Sequence, residues 1–283
     1  MYVLHTRDDS AALAVRLVLE ELGQPYETRL VSKEAGDPES PAYRALQPLG
    51  LVPALETPDG PMFETAAILL WLADRHKALA PAPDAADRGQ FLKWFFFTVS
   101  HVHPIVLQLF YPERYKGEGN DEEAFTAGAA ARVRIALGLL NDVAASGSLR
   151  WLSASEPSIL TYYLALLIRW FKSFDESDVR HLDFTRWPAL QSIAVAMEER
   201  PAAIRCATTR TLPTCSAPAA AFAAAARAVA SRIRSSSFSA VLSRSTRLAT
   251  RAGTSSEGTF SEDASPAISA RSLARCRKES SPT

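Results

Sequence analysis

Apolar and polar positions alternate over residues 1–6, then Leu13, Leu17 and Leu22 recur at helical spacing after Ser10. A strand followed by a helix is predicted, with Gly23 closing the helix. Residues 26–31 predict a second strand, 32–40 a polar loop and 41–46 a short helix, completing a β-α-β unit. The apolar segments 51–57 and 62–64 flank Pro58-Asp59-Gly60, a turn signal, and so predict an antiparallel hairpin. Residues 65–77 then read as an amphipathic helix with Ile68, Leu69 and Leu72 inward. After Ala80-Pro81-Ala82-Pro83 only helical periods remain, over 88–111, 121–146, 158–174 and 188–199.

The order β-α-β-α-β-β-α, with Val52-Pro53 opening the third strand, is a thioredoxin-like pattern. The expected fold is therefore a thioredoxin-like α/β domain over 1–78 followed by an all-α helical bundle over 84–206. Residues 207–283 form an Ala/Ser/Arg-rich tail, expected to be disordered.

The chain has 283 residues, 47% of them hydrophobic, and a formal net charge of +0. It can build sizeable cores, and it has no overall field to draw it onto nucleic acid or an anionic membrane. The balance hides a split, because the tail after Cys206 carries 11 of the 31 basic residues and 4 of the 31 acidic ones. Every tryptophan and tyrosine precedes it. The tail reads as a basic arm for an acidic partner, as a solvated extension, or as a segment in a shifted reading frame. Cys206, Cys215 and Cys276 show no metal-ligand spacing. The longest apolar runs, 66–73 and 162–168, are too short to span a bilayer, and the first ten residues do not read as a secretory signal. A cytoplasmic location is expected.

Three segments then stand out: Pro48-Leu49-Gly50-Leu51-Val52-Pro53-Ala54-Leu55, Asp59-Gly60, and Glu64-Thr65-Ala66-Ala67-Ile68-Leu69-Leu70-Trp71-Leu72. In this order and spacing they resemble the glutathione transferase superfamily, in its cytosolic bacterial type. Glu156-Pro157-Ser158-Ile159-Leu160-Thr161-Tyr162-Tyr163-Leu164-Ala165 resembles the family's capped buried helix, and Arg200-Pro201-Ala202 its closing segment. The resemblance covers residues 1–206. It implies glutathione as co-substrate, a small electrophile as second substrate, detoxifying conjugation, a homodimer and no metal.

It also implies site residues. Val52 would pair through its backbone with the cysteinyl part of glutathione, next to a cis peptide at Pro53; alternatively Pro53 starts an edge strand in trans. Glu64 and Thr65, at a helix start, would hold the α-amino acid end, and the same residues can cap the helix. Thr65 replaces a more usual serine and keeps the hydroxyl, whereas Leu51 stands where a ligand-binding Gln or Lys is common. In the family the sulfur lies at the first helix N-terminus, where dipole and a hydrogen bond lower a thiol pKa from about 8.5 toward neutrality.

The cysteine of bacterial members would fall at Ala11, so cysteine chemistry is not expected. Ser10 is the candidate catalytic hydroxyl, or a plain N-cap; Thr6 is the second choice, and Tyr2 lies too early in the strand. Asp8 and Asp9 would oppose a thiolate unless Arg7 offsets them. The helix 88–111 would line the electrophile pocket with Phe95, Phe96, His101, His103 and Phe110, most of them core. His101 and His103, two apart, do not make a metal pair. Arg114, after a helix break at Pro112, holds an anionic substrate or pairs with a glutamate. Two other readings stand beside a transferase. One is a non-catalytic glutathione- or ligand-binding member or interaction module, suggested by the acidic loop and missing cysteine. The other is a maleyl-type isomerase, whose Ser-Ser-Cys-rich loop this chain lacks.

Overall fold

The computed structural model describes residues 1–208, apart from Glu34. Of the tail expected to be disordered, Ala207 and Thr208 are instead helical, and the rest, from 209 onward, lies outside the described residues.

Strands β1 (Tyr2–Thr6), β2 (Tyr26–Leu30), β3 (Ala54–Thr57) and β4 (Gly60–Phe63) form one sheet in the order β2-β1-β3-β4. β1 and β2 run parallel, Tyr2 opposite Tyr26, which requires the crossover helix α1 (Ala12–Glu21) between them. β3 runs antiparallel to β1 with Leu4 opposite Leu55, and Pro58-Asp59 closes the β3–β4 hairpin, Thr57 opposite Gly60. Leu4 and Leu55 are fully buried on the face covered by Val15, Val18 and Leu19 of α1 and by Ile68, Leu69 and Leu72 of α3 (Thr65–His76). Each such side chain contributes roughly 1.5–3 kcal/mol when removed from water. A smaller cluster, Val31, Tyr43 and Ala54, packs α2 (Pro41–Arg44) against the sheet. This is the thioredoxin-like domain that the pattern predicts.

The rest is helical: α4 (Arg88–His101), α5 (His103–Phe110), α6 (Glu122–Ala145), α7 (Ile159–Phe171), α8 (Pro188–Glu198) and α9 (Pro201–Thr208). All of α7 except Arg169 and Trp170 is buried, as expected of a helix apolar on nearly every side. A capping box starts it: Ser158 Oγ accepts from the Thr161 N–H at 3.1 Å, and Thr161 Oγ1 from the Ser158 N–H at 2.8 Å.

Two predicted elements differ. The single helix over 88–111 is two helices, because Pro104 cannot donate to the carbonyl four residues back and its ring crowds it; the axis breaks at Val102, φ −114°. The third strand begins at Ala54 rather than residue 51, after a cis Val52–Pro53 bond.

The sheet domain is clasped to the helices by charge. Glu21 accepts from the Tyr162 hydroxyl at 2.6 Å and pairs with Arg200, and Glu20 pairs with Arg205 at 2.6 Å. Burial alone would raise the Glu21 pKa, but the hydrogen bonds from Arg200 and Tyr162 outweigh it and hold the carboxyl below its usual value. Among the described residues no helix is long and apolar enough to cross a membrane.

Candidate functional site

The loop from β1 into α1 turns through Asp9, a non-glycine residue at φ 48°. Ser10 is not the N-cap: that position is Ala11, whose side chain has no oxygen to offer. The Ser10 hydroxyl instead donates to the Arg7 carbonyl at 2.6 Å and accepts from the Arg7 N–H at 3.4 Å. Thr6 Oγ1 donates to the same carbonyl at 3.3 Å. Both candidate hydroxyls thus share one acceptor, in the loop that leads into the helix N-terminus. Tyr2 is excluded by position, since its hydroxyl bonds His76 Nε2 at 2.9 Å.

Arg7 does not offset the two aspartates. Its Nε donates to the Val31 carbonyl at 3.2 Å, and its buried Nη2 has no partner among the described residues. Asp9 is neutralised from the helical domain, by Arg169 Nη1 at 3.0 Å and the Trp170 indole N–H at 3.2 Å. No sequence signal pointed to α7 as the source of that charge.

Opposite this loop, the segment entering β3 is built to expose backbone. Gly50 adopts φ 66°, and a Cβ there would stand 2.5 Å from the Pro38 carbonyl oxygen, so only glycine fits. The Tyr43 hydroxyl donates to the Leu51 carbonyl at 2.5 Å, and burial raises its pKa to about 12, against the opposing nearby charge of Arg7. The next residue, Val52, precedes the cis bond to the buried Pro53. Its N–H and C=O make no hydrogen bond among the described residues.

Glu64 ends the hairpin at φ 70°, ψ 112°, a region that residues with a Cβ rarely occupy. Its exposed side chain does not cap α3, while the next residue, Thr65, is buried and starts the helix. The N–H groups of that first turn have no acceptor within the helix and carry the positive end of its dipole. A carboxylate, a hydroxyl and free N–H groups are thus carried by adjacent residues at the start of α3, a donor and acceptor set suited to a zwitterionic α-amino acid group.

The helical domain supplies aromatic side chains. Phe95 is buried core, whereas Phe96 and Phe110 keep large exposed areas. His101 stacks on Phe97 at 4.7 Å, and His103 bonds Tyr163 at 2.5 Å, so the two histidines diverge. Arg114 lies over the Tyr111 ring at 4.2 Å with Glu113 at 3.5 Å. Among the described residues no three His, Cys, Asp or Glu side chains group as metal ligands.

Residues 10–75 match the family model for the glutathione S-transferase N-terminal domain. Glutathione S-transferase F9 of Arabidopsis thaliana is 34% identical over 96 residues, 33% of this chain and 45% of that protein. The matched part of the chain thus spans less than half of that relative. Glutathione S-transferase GST-4.5 of Xanthomonas campestris pv. campestris is 28% identical over 174 residues, 59% of this chain and 81% of the relative. Among solved structures, a glutathione transferase homologue from Sulfitobacter with bound glutathione superposes with a TM-score of 0.61 at 20% identity, covering 75% of this chain and 99% of that one.

Proposed function

For a chain with the glutathione S-transferase fold and a glutathione S-transferase N-terminal domain at residues 10–75, we propose glutathione binding and transfer of its thiol to a small electrophile. Residues 1–78 would hold glutathione, and 84–206 would wall the electrophile pocket. The observation that carries the reading is the β3–β4 register, with Ala54 opposite Phe63, which brings Val52-Pro53 and Glu64-Thr65 to the same end of the hairpin. Thr65 and the first N–H groups of α3 would take the γ-glutamyl carboxylate, Glu64 its ammonium, and the free Val52 N–H and C=O the cysteinyl backbone, beside Pro53. Glutathione supplies the sulfur nucleophile.

At the start of α1, Ser10 would rotate its hydroxyl from the Arg7 carbonyl to the sulfur and favour the thiolate, with the helix dipole acting in the same direction. Thr6 stands beside it as the second hydroxyl. Pairing of Asp9 with Arg169 removes much of the repulsion that the acidic loop would exert. A homodimer belongs to the same proposal.

The test is retention of the full chain on immobilised glutathione, then turnover of a generic aryl halide by wild type and Ser10→Ala. Retention with a turnover number lowered 100-fold or more in Ser10→Ala supports the reading. Retention without turnover by wild type leaves a binding protein, and no retention leaves the fold alone.

A further inference from the structure

His103 and Tyr163 form a polar pair among the aromatic side chains of α5 and α7, beside Trp170, which contacts the loop that carries Ser10. His103 lies just after the break between α4 and α5, its ring edge-on to Tyr163 with centroids 5.5 Å apart and tilted against Trp170 at 5.9 Å. Trp170 in turn donates to Asp9, next to Ser10. Tyr163 lies within electrostatic reach of Glu64. Phe110 and Phe174, centroids 4.7 Å apart, are neighbouring aromatics of the helical part.

Burial, and after it the Glu64 charge, raises the Tyr163 pKa and keeps the phenol protonated; burial lowers His103 to about 4 and keeps the imidazole neutral. The Tyr163 hydroxyl is deeply buried and has no other acceptor among the described residues, so its O–H donates to His103 Nδ1, which leaves the imidazole proton on Nε2. That N–H has no hydrogen-bond partner among the described residues, and the residue is only half-buried.

We propose that His103 activates the electrophile, its Nε2–H donating to the carbonyl oxygen of an α,β-unsaturated carbonyl substrate, with Tyr163 as the residue that orients it. The inference rests on the transferase reading. The thiolate sulfur forms a bond to the β carbon, the C=C π pair moves through the carbonyl to leave an enolate oxygen, and the enolate takes a proton at its α carbon from water. No atom is oxidised or reduced overall. A neutral, preoriented N–H aimed at the oxygen where charge develops acts as an oxyanion-hole donor. It gives nothing to a displacement at an alkyl halide, where no oxyanion forms.

The experiment compares kcat/KM of the full chain, with glutathione, on an unsaturated ketone and on a benzyl halide. For His103→Phe the ketone-to-halide ratio falls about 100-fold, the scale of one lost oxyanion donor, and His103→Gln, which keeps an N–H, restores part of it. An unchanged ratio, whether both rates fall together or neither falls, overturns the inference, and so does wild-type turnover of the halide without the ketone. Turnover of neither substrate by a chain that glutathione resin retains overturns the transferase reading, and the inference with it.

Discussion

The Asp9 carboxylate accepts a hydrogen bond from the Trp170 indole N–H at 3.2 Å, across the boundary between the sheet and the helices. It also faces Arg169 Nη1 at 3.0 Å, so the loop carrying Ser10 is held by α7 as well as by its own turn. Both partners are well exposed, and the pair contributes little to stability by itself. Its effect is electrostatic and local.

Asp9→Asn keeps an acceptor for Trp170 and removes the negative charge, leaving Arg169 uncompensated. The pKa of bound glutathione's thiol is expected to fall by about half a unit, since removing a nearby like charge favours the thiolate. Thiolate absorbance against pH measures this, and an unchanged value would mean that Asp9 acts by shape alone.

Thr65→Val replaces the hydroxyl with a methyl of similar size at a buried helix start. One lost hydrogen bond to a charged carboxylate corresponds to about a tenfold weaker Kd for glutathione. Calorimetric titration reads the affinity, and an unaltered Kd would remove Thr65 from the site. Val at a helix start is not expected to shift the melting temperature by more than a few degrees.

His103 gives the fold a defined sensitivity to acid. Its pKa falls from 6.5 to about 4 in the folded chain, so between those values the unfolded chain binds more protons and stability rises with pH. The contribution is complete above pH 6.5 and is lost as pH falls through the folded value. Urea midpoints taken from pH 7 to pH 4 should decline more steeply for wild type than for His103→Gln. Parallel curves would place the histidine in ordinary solvent.

Glu21→Ala deletes the acceptor shared by Tyr162 and Arg200 and leaves that partly buried guanidinium with the Tyr162 hydroxyl but no carboxylate. A loss of about 2 kcal/mol is expected, below the range for a fully buried pair because Arg200 keeps 30% exposure. Urea denaturation measures it, and a change under about 0.5 kcal/mol would assign the clasp to packing alone.

Local signals made most of the fold legible. Turn chemistry at Pro58-Asp59 fixed the hairpin, apolar spacing fixed α1 and α3, and the helical period from Ser158 marked the start of α7. The break between α4 and α5 was also written in Pro104, but the apolar period running through it dominates the pattern. At the site, Val52, Pro53, Glu64 and Thr65 are close in sequence and were named together. The pairing of Asp9 with Arg169 was not legible, because it joins residues 160 positions apart and depends on how α7 packs. Ser10 carried a helix-cap signal, yet the helix starts one residue later and the hydroxyl turns back to Arg7.

Glu64 holds its chain in a geometry suited to glycine while carrying a charged side chain. Glycine there would relieve about 1 kcal/mol or more of backbone strain and remove the carboxylate carried just ahead of α3. A search for heat-resistant variants of this chain would therefore be drawn to position 64, and there it would select for durability against ligand capture. Resistance to heat and grip on an amino-acid headgroup pull in opposite directions at one residue.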